Sequence, residues 1–351
     1  MAMARASYSM PTPRRRFPWE TLSSDKLLDV RLCDLGLEIA GSPLEERVTA
    51  LHAELERAGL RFRPHVWLST DWFSPVGVPG VAIPFYLAHP RLARLERAQM
   101  LQVEGGNRGW CMKLLRHETG HAIDTAYRLH RTRRWRDHFG RVSQPYHVTY
   151  VPDPASGDYV QHLYNFYAQS HPTEDFAETF AVWLRPGKRW CRRYVASPAL
   201  RKLKYVDGAM REIGDRRPPV RSRERTDALS KLRMTLREYY LRKRDHYGEE
   251  DYSIFDRDLL RLFSDDPAHR QRIAAAAFLR ERRGELRRIV AQWTGQHRFV
   301  VDDVVKGMIQ RCRELGLRLC HTEQETGEGA AVLLTLHTAR ILRMRHREYF
   351  R

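Results

Sequence analysis

Residues 117–124 read HETGHAID, and within them His117, Glu118 and His121 form the pattern His-Glu-x-x-His. On a helix, residues four apart share a face, with Cβ atoms about 6 Å apart. Both imidazoles can then address one ion at Zn–N distances of about 2.0–2.1 Å. Glu118 is turned away by one residue, so it does not ligate the same ion comfortably, but it can reach a water bound there. Two ligands with an adjacent carboxylate suit a hydrolytic metal site. The competing reading is a histidine pair on a charged helix, in a chain that holds 16 His and is 30% Asp, Glu, Lys and Arg.

A hydrolytic zinc needs a third protein ligand and one position left for water. Asp124 follows His121 by three residues, but it stands about 10 Å along the helix axis from His117. One straight helix cannot bring all three to one ion, so Asp124 is expected as a second-shell or capping carboxylate. The better candidate lies in HPTEDFAETFAVWL, where Glu174 and Glu178 are again four apart on a largely apolar segment. One can bind the metal while the other accepts a proton from a ligand imidazole, as zinc-bound histidine normally requires. Position favours Glu174 as the ligand. It opens the segment just after His171-Pro172 and can project into a cleft, whereas Glu178 is flanked by Ala177, Phe180 and Ala181.

These residues need elements to hold them. Val48, Leu51, Leu55 and Leu60 predict an amphipathic helix that ends near Gly59. FRPHVWLSTDWFS and VPGVAIPFYLAHP read as strands, the second made an edge or a bulge by Pro84. An edge strand beside a metal helix suits a peptide that binds by strand addition. Asn107 predicts the cap of a long helix to about Arg131, with Trp110, Leu114, His117, His121 and Asp124 along one stripe. After a Pro- and Gly-rich loop, Val160, Leu163, Tyr164 and Tyr167 predict a short helical segment, and Pro172 suits the first turn of the next helix. GDRRPPVRSRERT (214–226) reads as a linker, and 227–351 as a helical C-terminal domain.

Length and composition set the limits. The 351 residues, 42% of them hydrophobic, can build one large or two medium cores. No apolar run is long enough to span a membrane. The first nineteen residues are basic and lack the apolar core of a secretory signal, so 1–19 are expected as a disordered basic tail and the protein as cytoplasmic. Five cysteines without a C-x-x-C pair give neither a disulfide framework nor a cysteine zinc site. The net charge of +18 is spread among interleaved acids and bases. Nucleic-acid binding is therefore expected to be weak, non-specific and steeply salt-dependent.

The spacing of HExxH to a downstream ExxxE resembles the gluzincins, the thermolysin-like zinc peptidases. More narrowly, RPHVWLSTDWFSPVGVPGVAIPFYLAHPR, LLRHETGHAID and YAQSHPTEDFAETFAVWL look like the bacterial "putative zinc-binding metallopeptidase" family, over roughly residues 20–345. The N-terminal zinc ribbon of some relatives is missing here. The resemblance implies an α+β, mostly helical protein. A zincin-like catalytic domain (20–213), with a small mixed sheet plus HExxH and ExxxE helices, would precede an all-helical C-terminal region. It implies one Zn2+ per chain on His117, His121 and Glu174, with Glu118 as catalytic carboxylate and Glu178 behind a ligand. It also implies a tyrosine near Tyr167 as oxyanion donor, with Tyr164, His162 and His171 as rivals. The substrate would be a peptide or protein. The alternative is a basic helical nucleic-acid or protein binding module with a non-catalytic zinc. The C-terminal helices would either recognise a partner or pack beside the cleft.

Overall fold

The computed structural model describes residues 16–146, 153–163, 166–187, 189–245 and 252–348. In chain order the helices and strands are α1 (Ser24–Leu28), α2 (Pro43–Arg57), β1 (His65–Ser69), β2 (Gly80–Pro84), α3 (Pro90–Met100), α4 (Arg108–Tyr127), α5 (Arg133–Phe139), α6 (Pro172–Leu184), α7 (Trp190–Arg193) and α8 (Leu200–Ile213). There follow α9 (Leu236–Asp245), α10 (Asp256–Leu262), β3 (Phe263–Ser264), α11 (Ala275–Thr294), α12 (Arg298–Glu314), β4 (Arg318–Leu319) and α13 (Glu323–Glu348). The fold is mostly helical with two small sheets, as expected in outline. The C-terminal region is not all helical, because β3 and β4 pair antiparallel within it.

Helix starts follow local chemistry. Ser42 accepts a hydrogen bond from the Leu44 amide at the head of α2, where Pro43 occupies the first turn. Asn107 does the same for the Trp110 amide of α4. That helix ends earlier than predicted, at Tyr127, where Arg128 turns left-handed and a short 3-10 turn, Leu129–Arg131, takes over. His171 caps α6, and Pro172 stands at its first position. Glu174 and Asp175 then fall in the first turn, where the helix dipole favours negative charge. The predicted helical segment around Val160 and Leu163 is instead irregular at 160–163, a 3-10 turn stands at Tyr167–Gln169, and Tyr164 lies outside the described residues.

β1 and β2 pair in parallel from His65↔Gly80 to Ser69↔Pro84. Phe73 bridges Ala82 from the other side, its carbonyl accepting from the Ala82 amide at 2.8 Å. The edge expected at the Pro84 strand is thus already engaged at Ala82.

One large apolar core gathers side chains from Trp19 to Tyr240, and a second runs from Phe255 to Leu334. Packing therefore begins inside the expected tail. The Trp19 indole donates to the Leu35 carbonyl at 2.9 Å, and Arg91 donates to the Glu20 and Leu22 carbonyls. Residues 1–15 lie outside the described residues. The 214–226 stretch does not separate the two cores, since Leu229, Leu236, Tyr239 and Tyr240 all belong to the first. The second core leans on the first through Phe299, with the Arg298 amide donating to Gln102 at 3.3 Å. No helix among the described residues is long and apolar enough to cross a membrane.

α6 is fixed from behind by a buried ion pair. Lys202 of α8 donates to Asp175 at 2.6 Å, and its ammonium sits 4.0 Å from the Tyr159 ring centroid. Removing one partner of such a pair strands a buried charge and costs about 3–5 kcal/mol, whereas replacing both by apolar groups is often close to neutral. Asp175→Ala and Lys202→Met should each lower stability by about that amount in urea unfolding. The double variant should cost clearly less than the sum, and strict additivity would contradict the coupling.

Candidate metal site

The site lies where α4 crosses α6. At their closest approach stands Gly120, inside HETGHAID. A Cβ built there would lie 2.8 Å from the Ala177 Cα and 3.1 Å from its carbonyl oxygen. Real side chains do not tolerate such contacts, so the spacing of the two helices rests on a glycine facing an alanine. On the far side α2 holds α4 through a bidentate ion pair, with Arg116 donating to Glu54 at 2.7 and 2.8 Å.

This crossing brings three predicted donors together. Glu174 Oε2 lies 3.0 Å from His117 Nε2 and 3.2 Å from His121 Nε2, and the two imidazole nitrogens are 3.2 Å apart. Ligands about 2.0–2.1 Å from a tetrahedral zinc would stand about 3.3–3.4 Å from each other. The triangle His117, His121 and Glu174 thus has the size and the donor chemistry of a zinc site. Its members are buried or half-buried. Burial acts to lower the pKa of His117, but hydrogen bonds with Glu174 and Glu178 outweigh it and hold the ring well above its usual range. Burial also acts to raise Glu174, yet the His121 and His117 charges and hydrogen bonds carry it far below the usual carboxylate range.

Glu178 sits one turn deeper, fully buried. One oxygen lies 2.8 Å from His117 Nδ1, and the other accepts from the Leu163 amide at 2.8 Å. The loop supplying that amide is stapled to α4. Lys113 donates to the His162 carbonyl at 3.0 Å, and His162 Nε2 donates to the Lys113 carbonyl at 2.9 Å. Burial pushes His162 down to about 4, so the ring is neutral near pH 7. His171 is equally committed. Its Nδ1 accepts from the Thr173 amide and its Nε2 donates to the Gln144 carbonyl. Of the predicted oxyanion donors that the structure describes, Tyr167 borders the triangle, its ring centroid 5.7 Å from that of His117.

Glu118 is buried beside the triangle, and burial raises its pKa, opposed by the His117 and His121 charges. Asp124 is engaged elsewhere. Both its oxygens serve His130, one accepting from the amide at 2.8 Å and the other 3.0 Å from Nδ1. It caps the end of α4 and orients no ligand of the triangle, so the second-shell role expected for it gives way to the capping one.

Sequence reading missed three contributors. Gly120 was visible in the motif, but its Ala177 partner lies 57 positions away. The Leu163 amide carries no side-chain signal at all. Glu104 is raised to about 7 by burial and by the charges of Asp71 and Glu118 among others, which brings further acid toward Glu118.

Residues 108–186 match the family model described as "Putative zinc-binding metallo-peptidase". The match starts at the first residue of α4 and ends two residues past α6, so it covers both helices of the site. No curated protein and no solved structure matches the chain.

The crossing yields a test. In an open helix interior Gly→Ala gains about 1 kcal/mol from propensity. Gly208 of α8 meets nothing within 4 Å of a built Cβ, so Gly208→Ala should stabilise or be neutral. Gly120→Ala should do the reverse, losing about 1–3 kcal/mol through overpacking. It should also weaken zinc affinity, since α6 carries Glu174. Urea unfolding and zinc titration of both variants would measure this, and equal behaviour would contradict the close-packing account.

Proposed function

We propose that the protein is a zinc-dependent metallopeptidase of gluzincin-like, zincin-type architecture, with one zinc per chain held by His117, His121 and Glu174. The observation that carries this reading is the triangle of ligand atoms 3.0–3.2 Å apart with a buried carboxylate, Glu118, at its side. The match of residues 108–186 supports it. Three donors without a cysteine, among the described residues, also favour a site with a position left for water, rather than the closed four-ligand site of a basic binding module.

A zinc bound there would bring the pKa of a coordinated water to near 7 and polarise a scissile carbonyl. Glu118 takes the proton from the attacking water and passes it to the leaving amine. Burial raises its pKa, which favours holding the proton between the two transfers. Glu178 fixes the His117 ring from Nδ1, leaving Nε2 for the metal. Tyr167, whose ring lies beside that of His117, would donate to the developing oxyanion. The substrate is a peptide or protein segment entering beside α4.

Glu118→Gln should retain zinc and fold while turnover of a peptide library falls by about 10²–10⁴, the usual contribution of a general base. Undiminished turnover would refute its role. Glu174→Ala removes a charged ligand, whereas loss of Glu178 should cost about 10- to 100-fold in metal affinity. Under chelator competition Glu174→Ala should therefore release zinc at concentrations where Glu178→Ala still holds it. The reverse order would exchange the two assignments.

A further inference from the structure

The metal site leaves one strongly charged feature unused. Residues 214–227 run beside β1 and are pinned to it by three alternate side chains. His65 donates to the Glu224 carbonyl at 2.9 Å, Trp67 to Thr226 at 2.9 Å and Ser69 to Asp227 at 2.8 Å. Further back, Val220 donates to the Ala126 carbonyl at 3.1 Å, and Tyr127 donates to the Arg216 carbonyl at 2.7 Å. The segment is thus a strap held by main-chain carbonyls on both sides.

Most of its side chains alternate. Pro218, Val220, Ser222 and Thr226 are half-buried, while Arg217, Pro219, Arg221, Arg223 and Arg225 are exposed, and Glu224 breaks the pattern by being exposed as well. This is the two-residue period of extended backbone, which sets alternate side chains about 6.6 Å apart on one face. The strap and the stretch 61–65 that leads into β1 line a groove of about 420 Å³ that gathers Arg61, Arg63, Arg216, Arg217, Arg221 and Arg223. Two acids pair with them, and a third, Glu224, stands exposed between Arg223 and Arg225. Asp215 pairs with Arg61 at 2.8 Å, and Glu56 pairs with Arg63 at 3.2 Å, both pairs largely exposed. Exposed pairs of this kind are worth little and exchange readily. Arg216, Arg217 and Arg223 have no acidic partner among the described residues.

We propose that this groove binds the sugar-phosphate backbone of a single-stranded nucleic acid, without sequence preference. Guanidinium forks match phosphate oxygens in pairs. A row of them at 217, 221, 223 and 225 fits a chain that carries one permanent charge per unit better than an acidic peptide, whose charges are irregular. The aromatic rings of the groove are engaged within the protein: Phe62 is buried, the His65 ring stacks on Trp67 at 5.1 Å, and the Tyr127 ring meets Phe62 edge to face at 6.0 Å. Recognition therefore runs through charge alone, and binding falls steeply with salt. The inference is independent of the peptidase reading, since none of these residues touches the metal triangle.

The test is fluorescence anisotropy of the full chain with a labelled twelve-nucleotide oligothymidylate between 50 and 200 mM salt. Arg217→Ser, Arg221→Ser and Arg223→Ser together should weaken binding at least tenfold. They should also reduce the slope of log K against log salt by about 2, since each lost phosphate contact in a single strand contributes about 0.7. Arg280→Ser, Arg288→Ser and Arg313→Ser remove the same charge from exposed positions on α11 and α12 and should cost less than threefold. A twelve-residue oligoglutamate should compete at least tenfold more weakly than unlabelled strand. Equal loss from the two triple variants would overturn the proposal. So would displacement by oligoglutamate at concentrations equal to the strand, or no binding by the unaltered chain at 50 mM salt.

Discussion

The close crossing of α4 and α6 is the constraint on which the rest of the site depends. Neither helix carries a complete set of donors. His117 and His121 stand on one and Glu174 on the other, and the 3.0 and 3.2 Å separations exist only because Gly120 lets Ala177 approach. Much of the surrounding structure holds that crossing in place. The Arg116–Glu54 pair fixes α4 against α2, and the Lys202–Asp175 pair fixes α6 against α8. The crossed Lys113–His162 bonds hold over Glu178 the loop whose Leu163 amide it accepts.

Charge is managed in the same spirit. Burying an ionised side chain is expensive unless it is paired and hydrogen-bonded. Glu174 and Glu178 are buried, and both meet imidazoles. Asp175, between them in sequence, faces the other way and takes Lys202. Glu118 differs, because burial raises its pKa and the histidine charges only partly offset this. Consecutive acids on one helix thus serve two purposes, set by which neighbour each meets.

The local part of this arrangement was legible in the sequence. Four-residue spacing placed His117 with His121 and Glu174 with Glu178, and Asn107 and Pro172 marked the starts of α4 and α6. What stayed hidden was long-range or backbone-borne: the Gly120–Ala177 contact, the Leu163 amide and the stapled loop. Asp124 was ambiguous because its partner His130 lies beyond the helix end, where the turn at Arg128 could not be foreseen. The 214–226 stretch was misread for a physical reason. Proline and charge usually mark a free linker, but here the bonds that fix it come from β1, more than 150 positions earlier.

The central claim is that one ion joins the two helices through two imidazoles and one carboxylate. X-ray absorption at the zinc edge of the purified, zinc-loaded protein tests it most directly. The account predicts a first shell of nitrogen and oxygen only, at about 2.0–2.2 Å, with two imidazoles in the outer-shell scattering and none of the zinc–sulfur distance near 2.3 Å. Loss of one imidazole contribution in His121→Ala should accompany loss of affinity. A sulfur-containing shell, or an unchanged spectrum in that variant, would place the metal elsewhere and contradict the account.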